Sequence, residues 1–291
     1  MKKTFPLSVI LLLFVLQLLS AYGIEEVKSF EHPIKKLLRE NGMVTKEEGN
    51  LKLSFSKTLG QSEQDELIAR SKECIERSLE IIQESSFDDS IHLLLVPTRN
   101  DMKNIIGGPI GGANFPKDYA FYPENGRPDN NYIYAVYGGK HNALGHEIMH
   151  MVTFLKWGLT YCSWLDEGLA TYSSPEAENC DGYTFEERYV YFLQNEKLIM
   201  PDSTMNFYMK EDGLIPNKIF YSQMAYIVGS LIDNYGIGKL KILWKSSMEN
   251  FEEIYGNSFE NCLQKINDKL NKKYPDLIKF NWEAFTENCI K

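Results

Sequence analysis

Residues Leu144–Val152 read LGHEIMHMV. His146 and His150 are four apart, so on a helix both imidazoles leave the same face. Glu147 is rotated off that face by one position. It can reach a small molecule held by the histidines without being one of its holders. Two histidines on one amphipathic helix also have a bland explanation, as ordinary surface or core side chains. The chain has only five histidines, so their concentration around one glutamate invites a search for more of the same site. The spacing is HExxH, in which two histidines bind zinc and the glutamate acts as general base.

A zinc site used for catalysis needs a third protein ligand and an open fourth position. Downstream lies Ser163–Tyr172, SWLDEGLATY, which reads as a second helix. Ser163 offers an N-cap, and Leu165, Leu169 and Tyr172 an apolar face. Glu167 sits early in that helix. A helix, a turn and a return helix would bring Glu167 back beside His146 and His150. Standing alone, Glu167 would be an acid complementing a helix dipole. At this distance after HExxH it reads as the missing ligand. Asp166 and Thr171 are candidates to orient the histidines through their second ring nitrogens, although Asp166 equally fits a simple helix-start acid.

HEIMH, followed after sixteen intervening residues by the glutamate of WLDEGLA, resembles the gluzincin metallopeptidases. It is most similar to catalytic domains of the aminopeptidase N and peptidase MA-like type, over about residues 85–250. The spacer is slightly shorter than in the aminopeptidases. The resemblance implies an α+β, thermolysin-like zincin: a small mixed sheet, an active-site helix and a mainly helical lobe. It implies one zinc ion per chain, held by His146, His150 and Glu167, with Glu147 as general base. FYSQMAYIVGSLIDNYG, Phe220–Gly236, resembles the helix that carries the tyrosine hydrogen-bonded to the oxyanion. Register against Gly236 selects Tyr221, with Tyr226 as the alternative. Both could equally be core aromatics.

The implied activity is peptide-bond hydrolysis by zinc-activated water, with an endopeptidase favoured. The aminopeptidases carry a GxMEN-like stretch that captures the substrate amine. The stretch matched to it here is YIYAVYGG, which has no such glutamate, and the resemblance implies that Ile133–Tyr137 borders the cleft as an edge strand that pairs with extended substrate. Two other readings keep the same residues. One is a zincin-fold binding protein with little or no turnover, against which an intact Glu147 argues. The other is a zinc hydrolase of a non-peptide bond, since one fold hosts many chemistries.

The sequence around these motifs sets the compartment. MKKTFPLSVILLLFVLQLLSAYG begins with Lys2 and Lys3, continues in an apolar run and ends in Ala21-Tyr22-Gly23. That is the pattern of a secretory signal peptide cleaved after Gly23. The run is short for a membrane span, so the mature chain is expected to be secreted or periplasmic, without stable membrane insertion. The full chain's formal net charge of -9 gives no reason to expect nucleic acid as a partner. A peptide or protein substrate is the expected partner. The 43% hydrophobic and 24% charged residues are ordinary for a protein with a real core.

Export permits disulfides among the five cysteines. Local loop closure favours Cys162–Cys180 and Cys262–Cys289, with Cys74 left over on a helix. The expected layout is a signal peptide over 1–23, a polar segment over 24–50 and a metallopeptidase domain over 51–291. That domain divides into a sheet lobe, about 51–140, and a helical lobe, about 141–291. The polar segment carries a short helix around Ile34–Arg39 and could cover the cleft before activation. Leu51–Thr58 and Ile91–Pro97 read as strands, Gln61–Ser85 as a helix with Ser62 and Asp65 as its start signal, and Arg99–Ile105 as a short helix. Gly107–Gly112 is a glycine-rich loop without the lysine and hydroxyl of a phosphate loop. Tyr119–Tyr122 and Tyr132–Tyr137 are aromatic stretches, the latter a strand. His92 reads as structural, His141 as a helix-start histidine and His32 as part of the polar region.

Overall fold

A computed structural model describes Leu38, Glu40 and residues 42–86, 88–106, 110–117, 128–139, 142–174, 180–199 and 214–290. The signal sequence, His32, most of the expected Ile34–Arg39 helix, Tyr119–Tyr122 and His141 lie outside the described residues.

Five strands form one mixed sheet: β1 (Met43–Glu48), β2 (Leu51–Ser56), β3 (Ile91–Val96), β4 (Gly112–Phe115) and β5 (Asn131–Val136). Their spatial order is β1-β2-β3-β5-β4. The three central strands are parallel, and β1 and β4 run antiparallel at the two edges. The sheet therefore begins inside the segment expected to be only polar. MVTKEE shows no apolar alternation because β1 is an edge strand with much of its surface in solvent. It turns into β2 through Gly49, whose φ of +66° suits glycine.

The central strands are buried along their length. Every residue of β3 and β5 is buried, as befits strands covered on both faces. On one face Leu53, Leu93 and Ile133 stand in register. Against them pack Leu67, Ile68, Ile75 and Ile82 of α1 (Gln61–Ile82) and Leu144, Ile148, Met151 and Val152 of α3 (Leu144–Trp157). On the other face Leu94, Val96, Tyr132 and Tyr134 pack with Met102 of α2 (Arg99–Ile106). Helix α1 starts at Gln61 as expected and ends at Ile82, short of Ser85, with the Gly60 N–H donating to Glu63 Oε2 at 2.9 Å. His92 is structural: its Nε2 lies 2.8 Å from Ser54 Oγ in the buried sheet.

From residue 142 onward the described residues contain helices and no strand. After α3 come α4 (Ser163–Tyr172), α5 (Phe185–Gln194), α6 (Leu214–Tyr235), α7 (Ile237–Trp244), α8 (Phe251–Tyr255), α9 (Phe259–Lys273) and α10 (Trp282–Phe285). The architecture is α+β, a small mixed sheet followed by a largely helical region. Among the described residues, no helix is long and apolar enough to cross a membrane.

Helices α4 and α6 meet closely because each presents a glycine. A Cβ on Gly168 would lie 2.7 Å from Val228 Cγ2 and 2.9 Å from the Met224 carbonyl oxygen. A Cβ on Gly229 would lie 2.8 Å from the Tyr172 ring. The glycine of WLDEGLA is thus a packing residue that sets how near α4 comes to α6.

The disulfide differs from both expected pairings. Cys180 bonds Cys289, 109 residues away, with Cα atoms 5.3 Å apart. Cys162 and Cys262 are free and buried. Closing the shortest loops was the wrong criterion. Phe192, Ile219, Phe285 and Cys289 form one apolar cluster, and that packing brings the C-terminal tail to Cys180. Cys162 is instead the N-cap residue of α4, a position expected for Ser163. Burial pushes its thiol up to about 11, so it is an inert core side chain.

Candidate metal centre

Helix α3 carries His146 and His150 on the side facing α4, while Ile148, Met149, Met151 and Val152 are buried. Its start is fixed by Asn142, whose Oδ1 accepts from the Leu144 N–H at 2.9 Å. The loop after Trp157 turns through Gly158, φ +81°, into α4. Trp164, Leu165 and Leu169 anchor α4 in the core. Its first turn then points at α3.

Three donor atoms converge as a result. His146 Nε2 lies 3.0 Å from His150 Nε2 and 3.3 Å from Glu167 Oε2. His150 Nε2 lies 3.6 Å from the same Glu167 oxygen. Ligands about 2.0–2.1 Å from a tetrahedral ion stand about 3.3 Å from one another. The three edges bracket that value. Two imidazoles and a carboxylate are also a suitable donor set for zinc. The residues present fit a bound divalent metal.

The outer ring nitrogens are engaged as well. Asp166 Oδ1 lies 2.6 Å from His150 Nδ1. Thr171 Oγ1 lies 3.4 Å from His146 Nδ1. Both contacts leave Nε2 of each ring turned toward Glu167. The two residues named in the sequence as possible orienters therefore meet one histidine each.

A second described cluster, Cys180, Asp181 and Cys289, brings three metal-ligating residue types together. Its cysteines are joined as a disulfide, and Asp181 accepts from Arg188 at 2.5 Å. In this form the cluster offers neither thiolate nor free carboxylate, so the histidine site is the metal candidate.

Glu147 is buried beside the three donors but outside the set. Strand β4 holds it there. Asn114 Nδ2 donates to Glu147 Oε2 at 2.5 Å. Gly112 packs against its stem so closely that a Cβ would lie 2.3 Å from Glu147 Cγ. Burial raises the Glu147 pKa, and the neighbouring imidazoles only partly oppose this. Burial would likewise disfavour charge on His150, but Asp166 and Glu167 prevail and raise its pKa well above the usual value. Glu167 moves the other way. Burial opposes its ionisation, yet His150 and His146 keep it far below the usual carboxylate range.

The chain matches no model of a known protein family and no curated protein. What it can do must therefore be read from the site. The geometry supports metal-dependent chemistry in general.

Tyr221 lies at the same site. Its ring stands edge-on to His146, centroids 6.0 Å apart. Burial, then Glu167 and Glu147, push its phenol pKa far upward, so it stays protonated. Tyr226 is elsewhere, its hydroxyl 3.2 Å from Glu186 and its ring against Tyr189. Of the two tyrosines, only Tyr221 is beside the histidines. Their shared helix begins at Leu214, earlier than Phe220, and ends before Gly236, φ +82°.

One expectation is overturned. Ile133–Tyr137 is not an edge strand, because β5 is hydrogen-bonded between β3 and β4. The strand bordering the site is β4, GANF, entered from the glycine-rich loop. It also contains no glutamate. Asn114 escaped the sequence reading because four residues give no strand periodicity and a lone asparagine between Ala113 and Phe115 reads as loop. The available signal was the glycine pair at 111–112, which marks close backbone approach.

Proposed function

We propose that this chain is an exported zinc-dependent peptidase, most simply an endopeptidase, in which Glu147 is the general base. The observation that carries the reading is the division of labour around α3. His146, His150 and Glu167 converge at ligand spacing, while Glu147 is buried next to them and held by β4 instead.

His146, His150 and Glu167 would hold the ion. Bound there, zinc supplies a Lewis acid that acidifies water and polarises a carbonyl. Glu147 takes a proton from the attacking water and returns it to the departing nitrogen. Asn114 fixes which carboxylate oxygen faces the reaction. Tyr221, protonated at any working pH, donates a hydrogen bond to the oxygen on which negative charge develops. Asp166 and Thr171 keep the imidazoles from rotating.

The substrate backbone would lie along β4 in extended form, adding to the sheet edge. The absence of an acidic residue from Gly112–Phe115 removes an obvious partner for a free amine and favours cleavage within chains. The Cys180–Cys289 bond accords with an oxidising compartment, as does the N-terminal signal pattern.

Peptide-library profiling of the purified protein, with and without chelator, tests this function. The reading requires cleavage that chelator abolishes and zinc restores. A protein that binds about one zinc but cleaves no peptide in a broad library would refute it.

A further inference from the structure

Two cations stand near Tyr221 with no acid among the described residues to balance them. Arg99 opens α2, and its Nε is buried with no hydrogen-bond partner among the described residues. Lys218 sits three residues before Tyr221 on α6, and its half-buried side chain places Nζ 5.9 Å from the Tyr221 ring centroid. Among the described residues, no carboxylate is within ion-pair distance of either cation. The Tyr221 ring stands 6.0 Å from that of His146, and the charges of Arg99, Glu167 and Glu147 all act on its phenol. The cations therefore border the metal site.

Burying like charges together is costly, and a fold normally supplies counter-ions. Here burial brings Lys218 down to about 8, with Arg99 and then Arg188 pushing the same way. Burial also lowers Arg99. The charge that would relieve this strain must come from outside the described residues. A guanidinium presents a planar fork that fits a carboxylate, and an ammonium adds a point charge.

We propose that Arg99 and Lys218 form a carboxylate-binding subsite beside the metal centre, which reads one negative charge on a peptide lying against Tyr221. The identity of the ligand as a peptide rests on the peptidase reading. The carboxylate could be a chain terminus or an acidic side chain, and the two sources are separable.

The test uses the zinc-loaded Glu147→Gln protein and calorimetric binding, so that it does not depend on turnover. The probes are an N-acetylated alanine tetrapeptide with a free C-terminus, its C-terminal amide, and amides with an internal Glu or Gln. At least one carboxylate-bearing peptide should bind about tenfold tighter than its neutral counterpart. The free terminus or the Glu peptide, whichever is preferred, identifies the source. Lys218→Met and Arg99→Gln should each erode the preference and together remove it, with affinity for the neutral peptide unchanged. Should Lys218→Met fail to fold, Lys218→Arg should keep the preference and Lys218→Gln should lose it. Equal binding of charged and neutral probes, no binding of any, or a preference untouched by the variants would overturn the subsite. Failure of the wild-type protein to cleave any peptide would instead count against the peptidase reading, since binding is measured without turnover.

Discussion

Asp166 Oδ1 lies 2.6 Å from His150 Nδ1, while the next residue, Glu167, faces Nε2 of the same ring at 3.6 Å. Consecutive carboxylates thus address opposite nitrogens of one imidazole. A single early turn of α4 supplies both a candidate ligand and a carboxylate that engages the outer nitrogen of another. Asp166→Asn should keep the fold but weaken zinc binding by about 10- to 100-fold. Competition with a calibrated chelator measures this. Unchanged affinity would reduce Asp166 to a helix-start acid.

The contact between β4 and Glu147 leads to a second expectation. A methyl group on Gly112 would meet the Glu147 stem, and also the Tyr134 carbonyl oxygen at 2.5 Å. Backbone cannot yield there without parting β4 from β5. Gly112→Ala should therefore cost about 1–3 kcal/mol and displace Glu147, the proposed general base. Asn114→Ala leaves the strand intact and removes only the hydrogen bond to Glu147. It should lower kcat while zinc content stays near wild type. Thermal unfolding, metal analysis and steady-state kinetics on the two variants separate packing from orientation.

The helical half of the site was legible in the sequence because its chemistry is local. HEIMH puts two candidate ligands on one face through helix periodicity alone, and WLDEGLA brings Glu167 to them through a short return connection. Tyr221 was separable from Tyr226 only by counting back from Gly236. The sheet half was less legible. β1 lacks apolar alternation because an edge strand need bury little, and β4 is too short to show a period. Their places depend on pairing with β2 and β5, which is information held by distant segments. The disulfide failed for the same reason. Cys180 and Cys289 are brought together by aromatic packing across 109 residues, and no spacing rule contains that.

Acid sensitivity should have a contribution from His92. Burial, with Lys52 acting in the same direction, depresses its pKa to about 4, against 6.5 for an ordinary histidine. The unfolded chain then binds the proton more readily than the fold. Stability is full above about pH 6.5 and falls as pH drops toward 4, by about 3 kcal/mol in all. Urea unfolding in chelator across this range should show the slope. His92→Gln, although less stable at neutral pH, should lose that part of the pH dependence. An identical slope in the variant would rule His92 out as the cause.

The disulfide should matter for stability and little for chemistry. It joins the residue preceding Asp181 to the C-terminal tail, away from the histidine site in sequence and packing. Replacing Cys180 and Cys289 by serine should cost about 2–5 kcal/mol. Zinc affinity at a temperature where the variant remains folded should not change. Denaturant unfolding and metal titration on the same preparation check both halves of the statement.

The most direct test of the account is a paired measurement on wild-type protein and Glu147→Gln: bound zinc per chain and hydrolysis of an unstructured protein substrate. Both proteins should hold one zinc, because Glu147 lies outside the ligand set. The wild type should cleave the substrate, and Glu147→Gln should be slower by at least about 100-fold. Equal hydrolysis by the two proteins would contradict Glu147 as general base, and loss of zinc from Glu147→Gln would contradict the division between ligands and base.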